Sequence, residues 1–167
     1  MRRLIKLALA SQGRRRGMMI RLWFAVLLLF VATAHADPIA SQDIYIIDGD
    51  TIAVHGKTIR LVGFDAPELG GHAHCGIERM LAARATSRLR QIIRTGDAID
   101  LQLIDCSCRP GTEGTRLCNY DRACGYLTVD GQDVGDILIA ENLAHPLVCG
   151  QFSCPKPKVW CPFEPTQ

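Results

Sequence analysis

Eight cysteines, none of them before position 75, constrain this chain more than any other feature of its sequence. They are Cys75, Cys106, Cys108, Cys118, Cys124, Cys149, Cys154 and Cys161. An even number in a small domain reads as a disulfide framework wherever the compartment is oxidising. The first 36 residues argue that it is. They hold seven basic residues and no acidic one. Leu22-Trp23-Phe24-Ala25-Val26-Leu27-Leu28-Leu29-Phe30-Val31-Ala32 is uninterrupted apolar sequence, followed by the small-x-small site Ala34-His35-Ala36 and by Asp37-Pro38. A basic region, a short apolar run and a small-residue cleavage site compose a secretory signal peptide, residues 1–36. The run is about half of the ~20 residues that a spanning helix requires, which disfavours a membrane anchor. Initiation at Met18 or Met19, or a weak twin-arginine signal on Arg14-Arg15-Arg16, would account for the long leader. The expected location is secreted or periplasmic, with no membrane span after cleavage.

Residues 37–167 have room for one domain. Twelve basic and all seventeen acidic residues fall there, a net charge of −5, although the whole chain carries +2. Such a surface argues against salt-driven, non-specific nucleic-acid binding and requires any phosphate to be held by a few placed cations. For the cysteines the competing reading is a zinc site on Cys106, Cys108, Cys118 and Cys124, but the spacing lacks a paired C-x-x-C. As disulfides, Cys149 and Cys154 are close enough for a local loop, and Cys75 with Cys161 would staple the tail. Cys106 and Cys108 are one residue apart, too strained to pair directly, and would bond Cys118 and Cys124 in either order.

The element pattern is short and regular. Asp43-Ile44-Tyr45-Ile46-Ile47 is β-rich and ends at the turn signal Asp48-Gly49; Thr51-Ile52-Ala53-Val54 resumes, His55-Gly56 turns, and 58–64 forms a third strand. From 77 to 95, Ile77, Leu81, Ala85, Leu89 and Ile92 recur at helical spacing, with Gly96 at the C-terminal cap position. Residues 98–104 alternate, with Ile99, Leu101 and Leu103 on one face. A cysteine-rich loop covers 105–121, a fifth strand 124–129 is closed by Asp130-Gly131, and Val134, Ile137 and Leu138 begin a short helix. The tail, 145–167, reads as irregular and pinned by its cysteines. This order suits an α+β domain built on a small β-barrel, with the five-stranded Greek-key OB-fold as leading candidate.

The chemistry concentrates in Ile47-Asp48-Gly49-Asp50-Thr51 and Ile59-Arg60-Leu61-Val62-Gly63-Phe64-Asp65-Ala66-Pro67-Glu68. Asp50 adds nothing to a turn that Asp48-Gly49 already makes. Arg60 sits in an otherwise apolar strand, where a cation needs a partner. Asp50 and Asp65 could give hard oxygen ligands to calcium, with Arg60 and Glu68 facing the same cleft. Strand-end ion pairs are the plainer alternative. His72 and His74 beside Cys75 could form a metal loop, but a solvated turn carrying one disulfide is favoured.

The order of these motifs resembles the staphylococcal nuclease (thermonuclease) family over about residues 44–143. Asn119-Tyr120-Asp121-Arg122 is similar to that family's Tyr-Gly-Arg element, and Val129 to Val134, then Leu138 and Asn142-Leu143-Ala144, to its closing strand and helix. The resemblance implies an exported calcium-dependent nuclease acting on DNA or RNA, expected as a monomer. It implies Asp50 and Asp65 as calcium carboxylates, Ala66 as a ligand through its carbonyl, Arg60 and Arg122 as catalytic arginines, Glu68 as base and Tyr120 near the phosphate. Three features depart from the family. Asp121 replaces a glycine beside Arg122, the lysine-rich loop after Val54 is missing, and no aromatic stands near Pro146-Leu147-Val148. The rival readings are a binding module of the same fold without turnover and a protein of cell-envelope or exopolysaccharide metabolism. Nothing in the residues suggests sugar chemistry.

The basic, apolar and Ala34-His35-Ala36 succession predicts a mature protein beginning at Asp37. Amino-terminal sequencing of the native protein checks this, and a sequence starting before Leu22 would overturn it.

Overall fold

A computed structural model of the chain describes residues 39–161. The expected signal peptide and its cleavage site lie outside the described residues. Among the described residues eight strands are present: β1 (Ile44–Ile46), β2 (Thr51–Val54), β3 (Lys57–Leu61), β4 (Gly63–Asp65), β5 (Ile99–Ile104), β6 (Ala123–Val129), β7 (Gln132–Asp133) and β8 (His145–Leu147). Two helices accompany them, α1 (Gly76–Thr95) and α2 (Val134–Ala140).

The strands form a mixed sheet of order β1-β2-β3-β6-β5, with β7 paired to β6 and a single parallel contact, β3 against β6. The sheet curls strongly into a half-barrel in an α+β domain. Its two edges approach each other, since Ile39 N–H, just before β1, donates to the carbonyl of Ile99 at the start of β5 (3.2 Å). Ile52, Ile59, Leu61 and Leu127 from the sheet, Leu89 and Ile93 from α1, and Val134 and Leu138 from α2 fill the core.

Local turn chemistry explains the hairpins. His55 and Gly56 (φ +49° and +80°) and Asp130 and Gly131 (+52° and +78°) occupy the left-handed region that tight hairpins with right-twisted strands require. Asp48-Gly49 works differently, for neither residue has positive φ. Instead Asp48 Oδ1 accepts from Asp50 N–H (3.0 Å), and Gly49 lies so close to other chain segments that an added Cβ would come within 2.6 Å of Ala66 Cβ and 3.0 Å of Ala85 Cβ. Glycine is there for contact.

Five expectations change in whole or in part. The expected strand 58–64 divides at Gly63 (φ +93°): Val62 N–H still bonds to the Gly125 carbonyl (3.1 Å), after which the chain leaves β6 and pairs with β8. The expected irregular tail therefore begins with a strand, His145–Leu147. The buried stripe of α1 runs through Glu78, Ala82, Ala85, Leu89, Ile92 and Ile93, leaving Ile77 exposed. The inward place in the first turn belongs to the Glu78 carboxylate, which accepts hydrogen bonds from the main chain. Gly96 caps α1 as expected, its N–H donating to the Ile92 carbonyl (3.0 Å), but with extended φ and ψ (−80° and 146°), and its hydrogen side chain makes room for Val129. Likewise Leu103 is half-exposed, because the sheet has run past the helices and its partner across β6 is Gly125.

The structure contains four disulfides, Cys75–Cys161, Cys106–Cys124, Cys108–Cys118 and Cys149–Cys154, and no free cysteine. Between the two orders open to the loop cysteines, the register decides. Cys124 lies opposite Ile104, so Cys106 just beyond β5 meets Cys124, and Cys108 is left for Cys118. Such a set indicates an oxidising, extracellular-type environment. Among the described residues, no helix is long and apolar enough to cross a membrane.

Helix α2 sits against Phe64 through Gly135, where an added Cβ would overlap the phenyl ring. Gly135→Ala should lower unfolding stability by about 1–3 kcal/mol, the usual scale of overpacking. Urea denaturation checks it, and an unchanged midpoint would mean that Phe64 moves aside freely.

Candidate active site

Three adjacent strands carry the site by register. Thr51 on β2 lies beside Arg60 on β3, which lies beside Cys124 on β6, and Arg122 stands one residue before that strand. Arg60 is the only charged side chain pointing from the middle of β3, and it is partly buried. One guanidinium nitrogen pairs with Asp50 Oδ1, and the other donates to Asp65 Oδ1 (3.1 Å) and to the Phe64 carbonyl (3.4 Å). Both carboxylates are buried.

Asp50 also accepts from the main-chain N–H of Ala66 (2.8 Å) and from the Thr51 hydroxyl (3.2 Å). The Ala66 contact ties the turn before β2 to the corner after β4, and the Gly49–Ala66–Ala85 packing makes it possible. Arg122 reaches the same cluster, its Nη1 donating to Thr51 Oγ1 (3.2 Å). A continuous hydrogen-bonded chain thus runs from Arg122 through Thr51, Asp50 and Arg60 to Asp65. The structure brings these residues together from positions 50 to 122.

Sequence reasoning gave Asn119 no role, yet it aims Arg122. Its carbonyl accepts from Arg122 Nε (3.1 Å) and its side-chain oxygen from Nη2 (2.8 Å). Asn119, Tyr120 and Asp121 all have positive φ (51°, 58° and 65°), which turns this segment back on itself. Asn and Asp tolerate that conformation better than most residues, and this was the available signal. Tyr120 is exposed, with its ring centroid 5.7 Å from the Arg122 guanidinium carbon. Among the described residues no side-chain hydrogen bond or ion pair joins Asp121 to Arg122, and Asn119 supplies the orientation of the guanidinium.

Glu68 is exposed and lines a cavity of about 350 Å³ with Asp65, Ala66 and His74. Buried Glu78 fixes this corner, accepting from His74 N–H (2.6 Å) and Glu68 N–H (3.4 Å). A glutamate in the first turn of a helix is the sequence mark of such a cap. A second cavity of about 410 Å³ opens beside Arg60, walled by Leu61, Phe64, Tyr126 and the disulfides Cys106–Cys124 and Cys149–Cys154. Trp160, which sequence reasoning left in the tail, stacks on His145 of β8 at 3.9 Å between ring centroids, next to Pro146. Trp160 thus stands beside 146–148 although it lies fourteen residues beyond Pro146. Its buried indole N–H lies beside Asp65 without hydrogen-bond geometry.

Among the described residues, the one group of potential metal ligands drawn from His, Cys, Asp and Glu is Cys75, Glu78 and Cys161. Its two sulfurs are joined to each other, so no thiolate is available. The loop carrying His72 and His74 forms no such group.

Burial pushes the Asp65 carboxyl above its ordinary 3.8, with Arg60 opposing, and burial raises Asp48 likewise. Burial in turn lowers the Arg60 guanidinium, with Asp65 opposing. Burial, followed by the charge on Lys158, lowers His145, which favours its neutral form in the stack. The chain matches no protein-family model, and no curated protein matches it.

A raised carboxyl keeps its proton in the folded chain at pH values where the unfolded chain has lost it. Its contribution to stability is therefore complete below 3.8 and is lost as pH rises through the folded value. Carboxyl-carbon NMR should place the Asp65 midpoint above 3.8, and Arg60→Ala should raise it further by removing the opposing charge. A midpoint at or below 3.8 would contradict the burial argument.

Proposed function

We propose that this chain is a calcium-dependent nuclease with an OB-fold of the staphylococcal-nuclease-like kind, exported and acting on DNA or RNA phosphodiesters. The observation that carries the reading is the hydrogen-bonded chain from Arg122 to Asp65. It gathers two guanidiniums and two carboxylates at the ends of the central strands of a curled sheet. A purely structural ion pair would need one arginine, and Arg122 adds no second carboxylate partner that would explain its place there.

The donor chemistry fits calcium. Asp50 and Asp65 are hard oxygen donors, buried together and already held about a single cation, Arg60. They would hold the ion with the Ala66 carbonyl. When bound, calcium supplies positive charge beside the phosphate in addition to that of the arginines. Arg60, released from one of its carboxylates, turns its planar donor fork to a phosphate oxygen, and Arg122 offers the N–H groups that Asn119 and Thr51 leave free. Both stabilise charge growing on the phosphorus oxygens in a phosphorane-like transition state. Glu68, exposed at the cavity with Asp65, is free to take the proton of the attacking water. Tyr120 stands at the outer face of Arg122, where the phosphate arrives. The cavity beside Arg60, with Tyr126, Leu61 and Phe64 on its walls, suits a nucleobase.

Asp121, where the resembled family has glycine, has φ +65°, a conformation that favours glycine and that aspartate tolerates. Its carboxylate is exposed, directed by no contact to Arg122, and this supports retained turnover over a binding module alone. The four disulfides agree with action outside the cytoplasm.

Arg60→Ala and Arg122→Ala should each lower the rate of DNA or RNA cleavage by roughly two or more orders of magnitude, the scale of a lost transition-state donor. A chelator should abolish wild-type activity and calcium restore it. Equal rates in wild type and both variants, or activity indifferent to chelation, would reject the reading.

A further inference from the structure

Between β8 and Cys161 the chain has no regular structure, yet it is held at three places. Cys149–Cys154 closes a small loop, Trp160 stacks on His145, and Cys161 is bonded to Cys75 at the head of α1. Between the first and last of these anchors runs Pro155-Lys156-Pro157-Lys158-Val159. Prolines fix their own φ and push the preceding residue to extended conformations, so this stretch is stiff.

It is also placed. Lys156, Pro157, Lys158, Val159 and Trp160 form one wall of the 350 Å³ cavity whose other wall holds Asp65, Ala66 and Glu68. Both lysines are exposed. Ion pairs among the described residues join Arg60 to Asp50 and Asp65, and Arg88 to Glu141, so neither lysine is committed to a carboxylate. Two uncommitted ammonium groups facing one cleft stand out in a region, 37–167, that carries a net charge of −5. Nothing in the packing calls for them, and they border the candidate phosphodiester site.

We propose that the disulfide-tethered segment 156–160 is a phosphate subsite, in which Lys156 and Lys158 take backbone phosphates flanking the scissile one on a single-stranded nucleic acid. This rests on the nuclease reading. Carboxylates on the opposite wall repel phosphate, so the phosphates lie along the tail side of the cleft, across from Glu68. The subsite holds substrate and takes no part in bond breaking.

Binding of a fluorescein-labelled oligothymidylate in chelator, followed by anisotropy against salt concentration, tests the proposal without turnover. Lys156→Ala/Lys158→Ala should weaken binding several-fold and reduce the slope of log affinity against log salt by about 1.4, two contacts at ~0.7 each. Hydrolysis of a small nitrophenyl phosphodiester, which has no flanking phosphate, should stay within about twofold of wild type. Cys75→Ser/Cys161→Ser should weaken oligonucleotide binding with both lysines kept; should that variant not fold, the lysine pair decides alone. Unchanged affinity and slope in the lysine variant of an active protein would overturn the subsite and leave the nuclease reading standing. Wild-type protein that binds without cleaving would reject the nuclease reading and leave the subsite to the lysine comparison. Wild-type protein that neither binds nor cleaves would reject both.

Discussion

One guanidinium between two buried carboxylates is the constraint on which the rest of this structure depends. Taking Asp50, Arg60 and Asp65 out of water costs several kcal/mol per ion unless each finds its partners. The fold meets that condition by bringing three segments to one point. The turn before β2 supplies Asp50, the middle of β3 supplies Arg60, and the end of β4 supplies Asp65. Ala66 N–H closes the set, and it can do so because Gly49 has no side chain to hold the corner and α1 away. A methyl group at Gly49 would therefore disturb electrostatics as well as packing.

Hydrophobic burial and covalent cross-links divide the remaining work by position. Where the sheet is covered by α1 and α2, its inward side chains are fully buried, as at Ile52, Ile59 and Leu127. Beyond the helices the burial fades, and Leu103 is half-exposed at the end of β5. The Cys106–Cys124 and Cys108–Cys118 bridges begin there, fastening the loop that leads to Asn119 and Arg122. The same loop could not be ordered by apolar contact, since Leu117 is its largest apolar side chain and stands in solvent.

What the sequence made legible was local. The hairpin turns at His55-Gly56 and Asp130-Gly131, the period of α1 and the alternation of β5 follow from neighbours along the chain, and so did the cluster of Asp50, Arg60 and Asp65. What it hid depends on partners distant in sequence. The break at Gly63 has meaning only with β8 present, more than eighty residues on. Gly96 is the helix cap that its position suggested, but the need for a glycine there comes from Val129, which fills the space of a side chain. Ile77 fitted the apolar stripe better than Glu78, but main-chain N–H groups at 68 and 74 needed the carboxylate. The part of Asn119 in aiming Arg122 arises from three successive left-handed residues, which no periodicity reports. Trp160 reaches the site through a disulfide and a ring stack, and a linear reading cannot join those.

The connectivity of the cysteines has a consequence for how the molecule is made. Cys75–Cys161 encloses every other bridge, and Cys106–Cys124 encloses Cys108–Cys118. A chain oxidised in the order in which its thiols follow one another in sequence would join Cys75 to Cys106, Cys124 to Cys149 and Cys154 to Cys161. Of the native bridges only Cys108–Cys118 survives that scheme. From such a state the native pairs are reached only by thiol–disulfide exchange, with a free thiolate attacking the misplaced bonds. An oxidant that paired thiols in that order alone would leave the chain in the wrong weave, so the nested connectivity ties correct oxidation to prior folding or to later reshuffling.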